Sequence, residues 1–208
     1  MMEQRSEEWR AARCGKVTAS RLAEAIARTQ KGWGASRDNY KAELVVERLT
    51  GIPNEGYTNP AMRHGTETEP EAREAYSFRQ DVDVVEVGFV DHPQIEMSGA
   101  SPDGLIGEDG LLELKCPQTA THIATLLGQS VPAKYLTQIQ WQLACTGRAW
   151  CDFASYDPRL PESMRLFVQR VQRDDDEIKR LEALVVDFLG EVDETVAKLR
   201  AAYERQAA

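Results

Sequence analysis

The chain has 208 residues, 42% of them hydrophobic and 28% charged, with a formal net charge of −9. This balance suits a globular protein with one sizeable core, and it argues against a protein that coats nucleic acid through bulk positive charge. No run approaches the roughly 20 apolar residues of a membrane span. The first residues, Met1 to Glu8, are too acidic and polar for a secretory leader, so a cytoplasmic protein is expected.

Ser6 followed by Glu7 and Glu8 reads as a helix cap with an acidic first turn, leading to Trp9 and ending near Gly15. Thr18 or Ser20 can cap a second helix carrying Leu22, Ala23 and Ile26. Thr29 to Arg37 reads as a loop, and a third helix is expected from Asn39 to Leu49, stopped by Gly51 and Pro53. Pro60 to Phe78 has helical composition interrupted by Gly65 and Pro70, so residues 1–80 are mostly helical.

Strand signals begin with the β-branched run Val82 to Val90, continue over Met97 to Ile106, and resume at Leu111 to Cys116 after a Gly107–Gly110 turn. Helices are expected from Thr121 to Leu127 and Pro132 to Cys145, then strands at Trp150–Tyr156 and Leu166–Val171. The pattern predicts an α/β or α+β domain over 1–208, with a mixed sheet within 81–172 flanked by helices. A last helix over 173–206 carries Ile178, Leu181, Val185, Phe188, Val192, Val196, Leu199 and Tyr203 on one stripe. Such a stripe packs on its own domain or forms an oligomer seam.

Charge and cysteine placement add to this. Residues 1–50 hold ten Lys/Arg against seven Asp/Glu, while residues 174–208 hold five against ten, so an anion-binding surface is expected near the N-terminus. The cysteines Cys14, Cys116, Cys145 and Cys151 form no C-x-x-C pair, and His64, His92 and His122 do not cluster. Neither a zinc site nor a disulfide framework is indicated, and reduced, buried thiols are expected.

The chemistry is concentrated in Ser101-Pro102-Asp103-Gly104 and in Glu113-Leu114-Lys115. Strand alternation turns Glu113 and Lys115 to one face, with Leu112, Leu114 and Cys116 on the other. The glycine turn folds Asp103 back beside them. Two carboxylates and one ammonium in a small space invite a hard divalent cation, Mg²⁺ above all, which would activate water and stabilise charge in phosphodiester hydrolysis. Alone, Glu-x-Lys could equally be a solvated strand pair, and Asp103 a turn residue.

These residues resemble the PD-(D/E)xK nuclease signature. The strings Ser-Pro-Asp-Gly-Leu (101–105) and Leu-Glu-Leu-Lys-Cys-Pro (112–117) look like its lambda-exonuclease or viral-recombinase branch, with a restriction-endonuclease-like core. Further matching strings are Trp9 with Arg13 and Gly15, Val17-Thr18-Ala19-Ser20, Gly65 with Glu69, Tyr135-x-x-Gln138-x-Gln140 and Tyr156-Asp157-Pro158-Arg159.

The resemblance implies a Mg²⁺-dependent, processive 5′-to-3′ exonuclease on double-stranded DNA, with two metal ions per site and Mn²⁺ able to substitute. It also implies a ring-shaped homotrimer and a single-strand annealing protein as partner. Motif matching makes Asp103, Glu113 and the Leu114 carbonyl the ligands of the first metal, Glu69 the helper at the second, and Lys115 the residue that positions the nucleophile. Arg13, Ser20, Ser101 and Gln138 match the residues around the terminal 5′-phosphate. The helical i, i+2 spacing allows only one of Gln138 and Gln140 to face the site.

One position departs from the pattern. Where some members carry a further acid about ten positions before the Pro-Asp aspartate, this chain has Asp91-His92-Pro93. A ring would enclose DNA without high net charge, and Arg10, Lys16, Arg28, Lys31 and Arg37 are candidates for its lining. Trp33 is either a DNA contact or an anchoring tryptophan. Alternative readings are a repair or resolvase-type endonuclease, an iron–sulfur relative of the nucleases, and a catalytically inactive DNA-binding scaffold.

Overall fold

The computed structural model describes residues 2–30, 32–54 and 59–203. Helix α1 (Glu7–Arg13) starts as expected, the Ser6 side chain accepting from the Trp9 amide at 3.2 Å. After strand β1 (Val17–Thr18), the expected second helix is only a 3₁₀ turn, Ala19–Arg21, and a four-residue α2 (Leu22–Ala25), and Thr18 provides no side-chain cap. Part of the expected loop is a small hairpin, β2 (Arg28–Thr29) and β3 (Gly32–Trp33). Lys31 lies outside the described residues, as does the stretch of the last helix beyond Tyr203.

Helix α3 (Ala35–Thr50) begins before Asn39 and ends at Gly51 with φ 69°. Helix α4 (Pro60–Gln80) runs through Gly65 and Pro70 without a break. Asn59 caps it by accepting from the Met62 amide at 2.9 Å. Pro70 removes one ladder bond, yet the carbonyl left over belongs to exposed Thr66, where water can satisfy it. The buried Ala72 and Tyr76 hold the second half of α4 against the sheet.

The valine-rich run pairs only at β4 (Val84–Val85) and β5 (Val90–Asp91). The stretch expected as one strand from Met97 to Ile106 is two, β6 (Ser98–Ala100) and β7 (Gly104–Ile106), in different sheets. Pro102 has no amide to give a ladder, and the Asp103 amide bonds instead to the Leu112 carbonyl at 3.1 Å. The hairpin then turns at Gly107, φ 51°, into β8 (Gly110–Lys115).

Helices α5 (Thr119–Gly128) and α6 (Ala133–Thr146), strands β9 (Trp150–Tyr156) and β10 (Leu166–Gln172), and helix α7 (Asp175–Tyr203) complete the order. The five-stranded sheet runs β10-β9-β8-β7-β4, antiparallel except for the parallel pair β8–β9. A three-stranded sheet, β1-β6-β5, pairs β1 with β6 in parallel and β6 with β5 antiparallel, its β5 and β6 falling between β4 and β7 in sequence. The result is a mixed sheet flanked by helices.

Strand alternation sends Leu112 and Leu114 towards α4, while Leu111 packs with Ile139 and Leu143 of α6 on the other face. Residues Ile139 to Cys145 are buried without interruption, because Trp141 and Cys145 reach a second cluster with α2, α3 and α7. Each fully buried Leu, Ile or Phe contributes about 1.5–3 kcal/mol. The α7 stripe therefore packs on its own chain from Ile178 to Val196, leaving Leu199 and Tyr203 exposed. Among the described residues no helix is long and apolar enough to cross a membrane.

Candidate active site

Strand β8 carries Glu113 and Lys115 on the face covered by α6. Glu113 is fully buried and accepts the Lys115 ammonium on Oε1. Its remaining partners come from α6, one helical turn apart: Gln138 Nε2 donates to Oε1 at 2.6 Å, and Gln142 Nε2 donates to Oε2 at 2.6 Å. Gln140, two positions from Gln138, turns away and bonds the Gln172 carbonyl. Gln138 thus meets Glu113 rather than Arg13 or Ser101.

Asp103 is pinned across the hairpin, its Oδ2 accepting from the Leu114 amide at 2.7 Å. The adjoining Gly104 instead leaves room for β4, because a Cβ there would lie 2.2 Å from Val84 Cγ1. Burial, then the Glu113 charge, pushes the Asp103 carboxyl up to about 8, despite the opposing effects of Lys115 and the Leu114 amide. For Lys115, burial alone would lower the pKa, but Glu113 and Asp103 outweigh it and raise it, so the group stays an ammonium.

The third expected carboxylate is engaged elsewhere. Glu69 on α4 meets Arg5 at 2.7 Å and Arg73 at 3.1 Å, although its charge still acts on Asp103. Arg5 holds this contact from a left-handed backbone, φ 70°. Among the described residues no three His, Cys, Asp or Glu side chains converge as a ready metal cage. Asp103 and Glu113 nonetheless fit Mg²⁺, which keeps several waters and takes one or two carboxylates. They form an under-neutralised pair beside one ammonium, and Asp103 Oδ1 has no hydrogen-bond partner among the described residues.

Two residues before Asp103, Ser101 meets the arginine expected to hold a phosphate. Arg13 stacks its guanidinium 4.0 Å from the Trp9 ring, and its hydrogen bond among the described residues is a long one, 3.5 Å to Ser101 Oγ. Trp9 Nε1 donates to the same hydroxyl at 2.8 Å. Burial lowers the Arg13 pKa from its ordinary value, which still leaves it charged. Ser20 makes no hydrogen bond to Arg13, Trp9 or Ser101 among the described residues. It is exposed, its hydroxyl meets that of Thr18 at 3.4 Å, and the short turn around it cannot supply the helix dipole expected there.

Several other expectations change. Asp91 pairs with Lys16 at 2.5 Å and does not replace the missing acid. Arg37 cannot line a channel, since it is 1% exposed and forks onto Glu191 of α7 at 2.8 Å through both Nη atoms. Trp33 lies 4.2 Å from Arg28 and 3.9 Å from Arg37, contacts that tether the ring while leaving it exposed. Only Cys145 and Cys151 are buried, and they belong to different clusters, while Cys14 and Cys116 are half-buried. That dispersal leaves no grouping for an iron–sulfur centre among the described residues.

Sequence reasoning missed Gln142, Arg5 and Arg73. The i, i+4 spacings Gln138–Gln142 and Glu69–Arg73 were the available signals.

Residues 8–149 match the YqaJ-like viral recombinase domain. The chain belongs to this family. Its fold is similar to that of an alkaline exonuclease, LHK-Exo, from Laribacter hongkongensis, with a TM-score of 0.91 and 48% identity over 97% of this chain and 100% of that one. A structure of LHK-Exo in complex with dAMP matches equally well. A phage-related exonuclease from Haemophilus somnus shares the fold at a TM-score of 0.72 and 15% identity, covering 88% of this chain and 96% of that one.

Among curated proteins, this YqaJ-like chain is 29% identical to uncharacterized protein R354 of Acanthamoeba polyphaga mimivirus over 167 residues. That match takes 73% of this chain and 28% of the relative, so the chain spans little more than a quarter of the relative's length.

Proposed function

We propose that this YqaJ-like chain is a Mg²⁺-dependent exonuclease that degrades one strand of double-stranded DNA from a 5′-phosphorylated end. It would release mononucleotides and leave a 3′ single strand. The observation that carries this reading is the pairing of an under-neutralised carboxylate couple with an arginine whose donors are largely unspent. Likeness to an alkaline exonuclease over the whole chain supports the same class of reaction.

In this reading Asp103, Glu113 and the Leu114 carbonyl hold the first metal, and Glu69 assists a second after exchanging an arginine contact. A metal held there would supply an activated water and offset charge on the phosphate. Lys115, kept as an ammonium by the two carboxylates, orients the water and offsets transition-state charge rather than removing a proton. Arg13 holds the terminal 5′-phosphate through its fork, with Ser101 set beside it by the Trp9 indole. Gln138 locks Glu113, and the exposed Ser20 hydroxyl is offered to the phosphate as a further donor.

The proposal extends to a homotrimeric ring enclosing DNA, a cytoplasmic location, and a single-strand annealing protein that loads on the exposed strand. The test uses linear duplex labelled at either end, with and without a 5′-phosphate, in Mg²⁺, Mn²⁺ or EDTA, for wild type and Lys115→Ala. Metal-dependent mononucleotide release from 5′ ends, abolished in the variant, is expected. Cleavage of covalently closed circles would replace the reading with an endonuclease, and binding without hydrolysis in either metal with a scaffold.

A further inference from the structure

Gln142 is fully buried in the continuous inner stretch of α6, and its amide is spent on one contact only. Nε2 donates to Glu113 Oε2 at 2.6 Å, while Oε1 is buried without a hydrogen-bond partner among the described residues. A glutamine kept for packing alone would be replaced at no loss by an apolar side chain, since a buried unpaired acceptor is costly. The amide cannot turn over to relieve that cost, because Oε1 would then face a carboxylate oxygen.

Glu113 gains a defined plane from this arrangement. The Lys115 ammonium and Gln138 both occupy Oε1, so Gln142 is the donor that fixes Oε2. Each carboxylate oxygen offers two lone pairs. Oε1 has both engaged, and Oε2 keeps one lone pair free. The oxygen left to bind a cation is thus the one whose direction Gln142 sets.

We propose that Gln142 is a positioning residue for the Glu113 carboxylate, aiming Oε2 at the metal and phosphate. The inference rests on the reading of Glu113 as a metal ligand. Residues that orient a ligating group this way typically change metal affinity by about 10–100-fold when removed. Gln142→Met keeps the length and bulk of the side chain and removes both the donor and the orphan acceptor. Gln142→Glu keeps the shape and turns the donor into a like charge.

The experiment measures Mg²⁺ and Mn²⁺ binding by calorimetry on the DNA-free protein, thermal melting in EDTA, and the Mg²⁺ concentration giving half-maximal hydrolysis of a 5′-phosphorylated duplex. Gln142→Met is expected to melt close to wild type while its metal dissociation constant rises about tenfold, equivalent to about 1.4 kcal/mol. Gln142→Glu is expected to bind metal more weakly still, and the KM for DNA ends should stay near wild type in Gln142→Met because Arg13 is untouched. Wild-type metal affinity in Gln142→Met would overturn the proposal, whatever the melting temperature. If wild type binds metal but cleaves no DNA, the exonuclease reading fails while calorimetry still decides the role of Gln142. If wild type binds no divalent ion, the proposal falls with it.

Discussion

If Arg13 holds the terminal phosphate as proposed, replacing it by Gln should remove a preference for 5′-phosphorylated ends while sparing hydrolysis of 5′-hydroxyl ends. The guanidinium carbon sits over Trp9 at 4.0 Å with Phe89 at 6.0 Å, so the head group is held in place before any ligand arrives. A forked contact to phosphate makes two charge-assisted hydrogen bonds, each about 1.5–2 kcal/mol. Their sum, about 3–4 kcal/mol, corresponds to roughly 10²–10³-fold in kcat/KM.

The assay is a cycle of two proteins and two substrates: wild type and Arg13→Gln, each on duplexes with a 5′-phosphate or a 5′-hydroxyl. Wild type should favour the phosphate by the full factor, and Arg13→Gln should lose nearly all of it. Arg13→Lys should recover part, since charge survives but the fork does not. Equal losses on both substrates would refute the reasoning, because Arg13 would then support the fold or the reacting centre instead of recognising the end.

Two further outcomes follow from the electrostatics. Asp103→Asn should raise the melting temperature in EDTA at neutral pH, by about 2–4 °C per kcal/mol of repulsion relieved, because it removes a carboxylate destabilised by burial and by Glu113; an unchanged or lower melting point would count against the repulsive pair. Glu191 is held down to about 2, first by Arg37 and then by Lys41, so its contribution to stability is present above the ordinary glutamate value near 4.3 and is lost as pH falls from there towards 2. Wild type should exceed Glu191→Gln in urea stability at pH 6, lose about half of that margin by pH 3 and converge with it only at about pH 2 and below, whereas a constant difference would show that charge is not the cause.

Legibility in the sequence followed the range of the interaction involved. The Ser6 cap, the Gly107 turn and the alternation that puts Glu113 beside Lys115 are local, and each stands where the residues alone place it. Local rules failed at Pro70, where the expected break is absent because water can reach the unbonded Thr66 carbonyl and the buried Ala72 and Tyr76 hold the following turns. They failed again at Met97–Ile106, where the proline divides one expected strand between two sheets.

The sequence by itself determined the chemistry on offer: which carboxylates, ammonium and guanidinium occur, and which of them share a strand face. Only the tertiary structure decided how they are partnered. It placed Gln142 on Glu113, Arg5 and Arg73 on Glu69, and Arg37 on Glu191 instead of on a channel wall. The reason is that a side chain's spacing along the chain sets its direction, while its partner comes from whichever element packs against that face. Burial there then decides whether a charge such as Asp103 is neutralised, and that is a property of the assembled core.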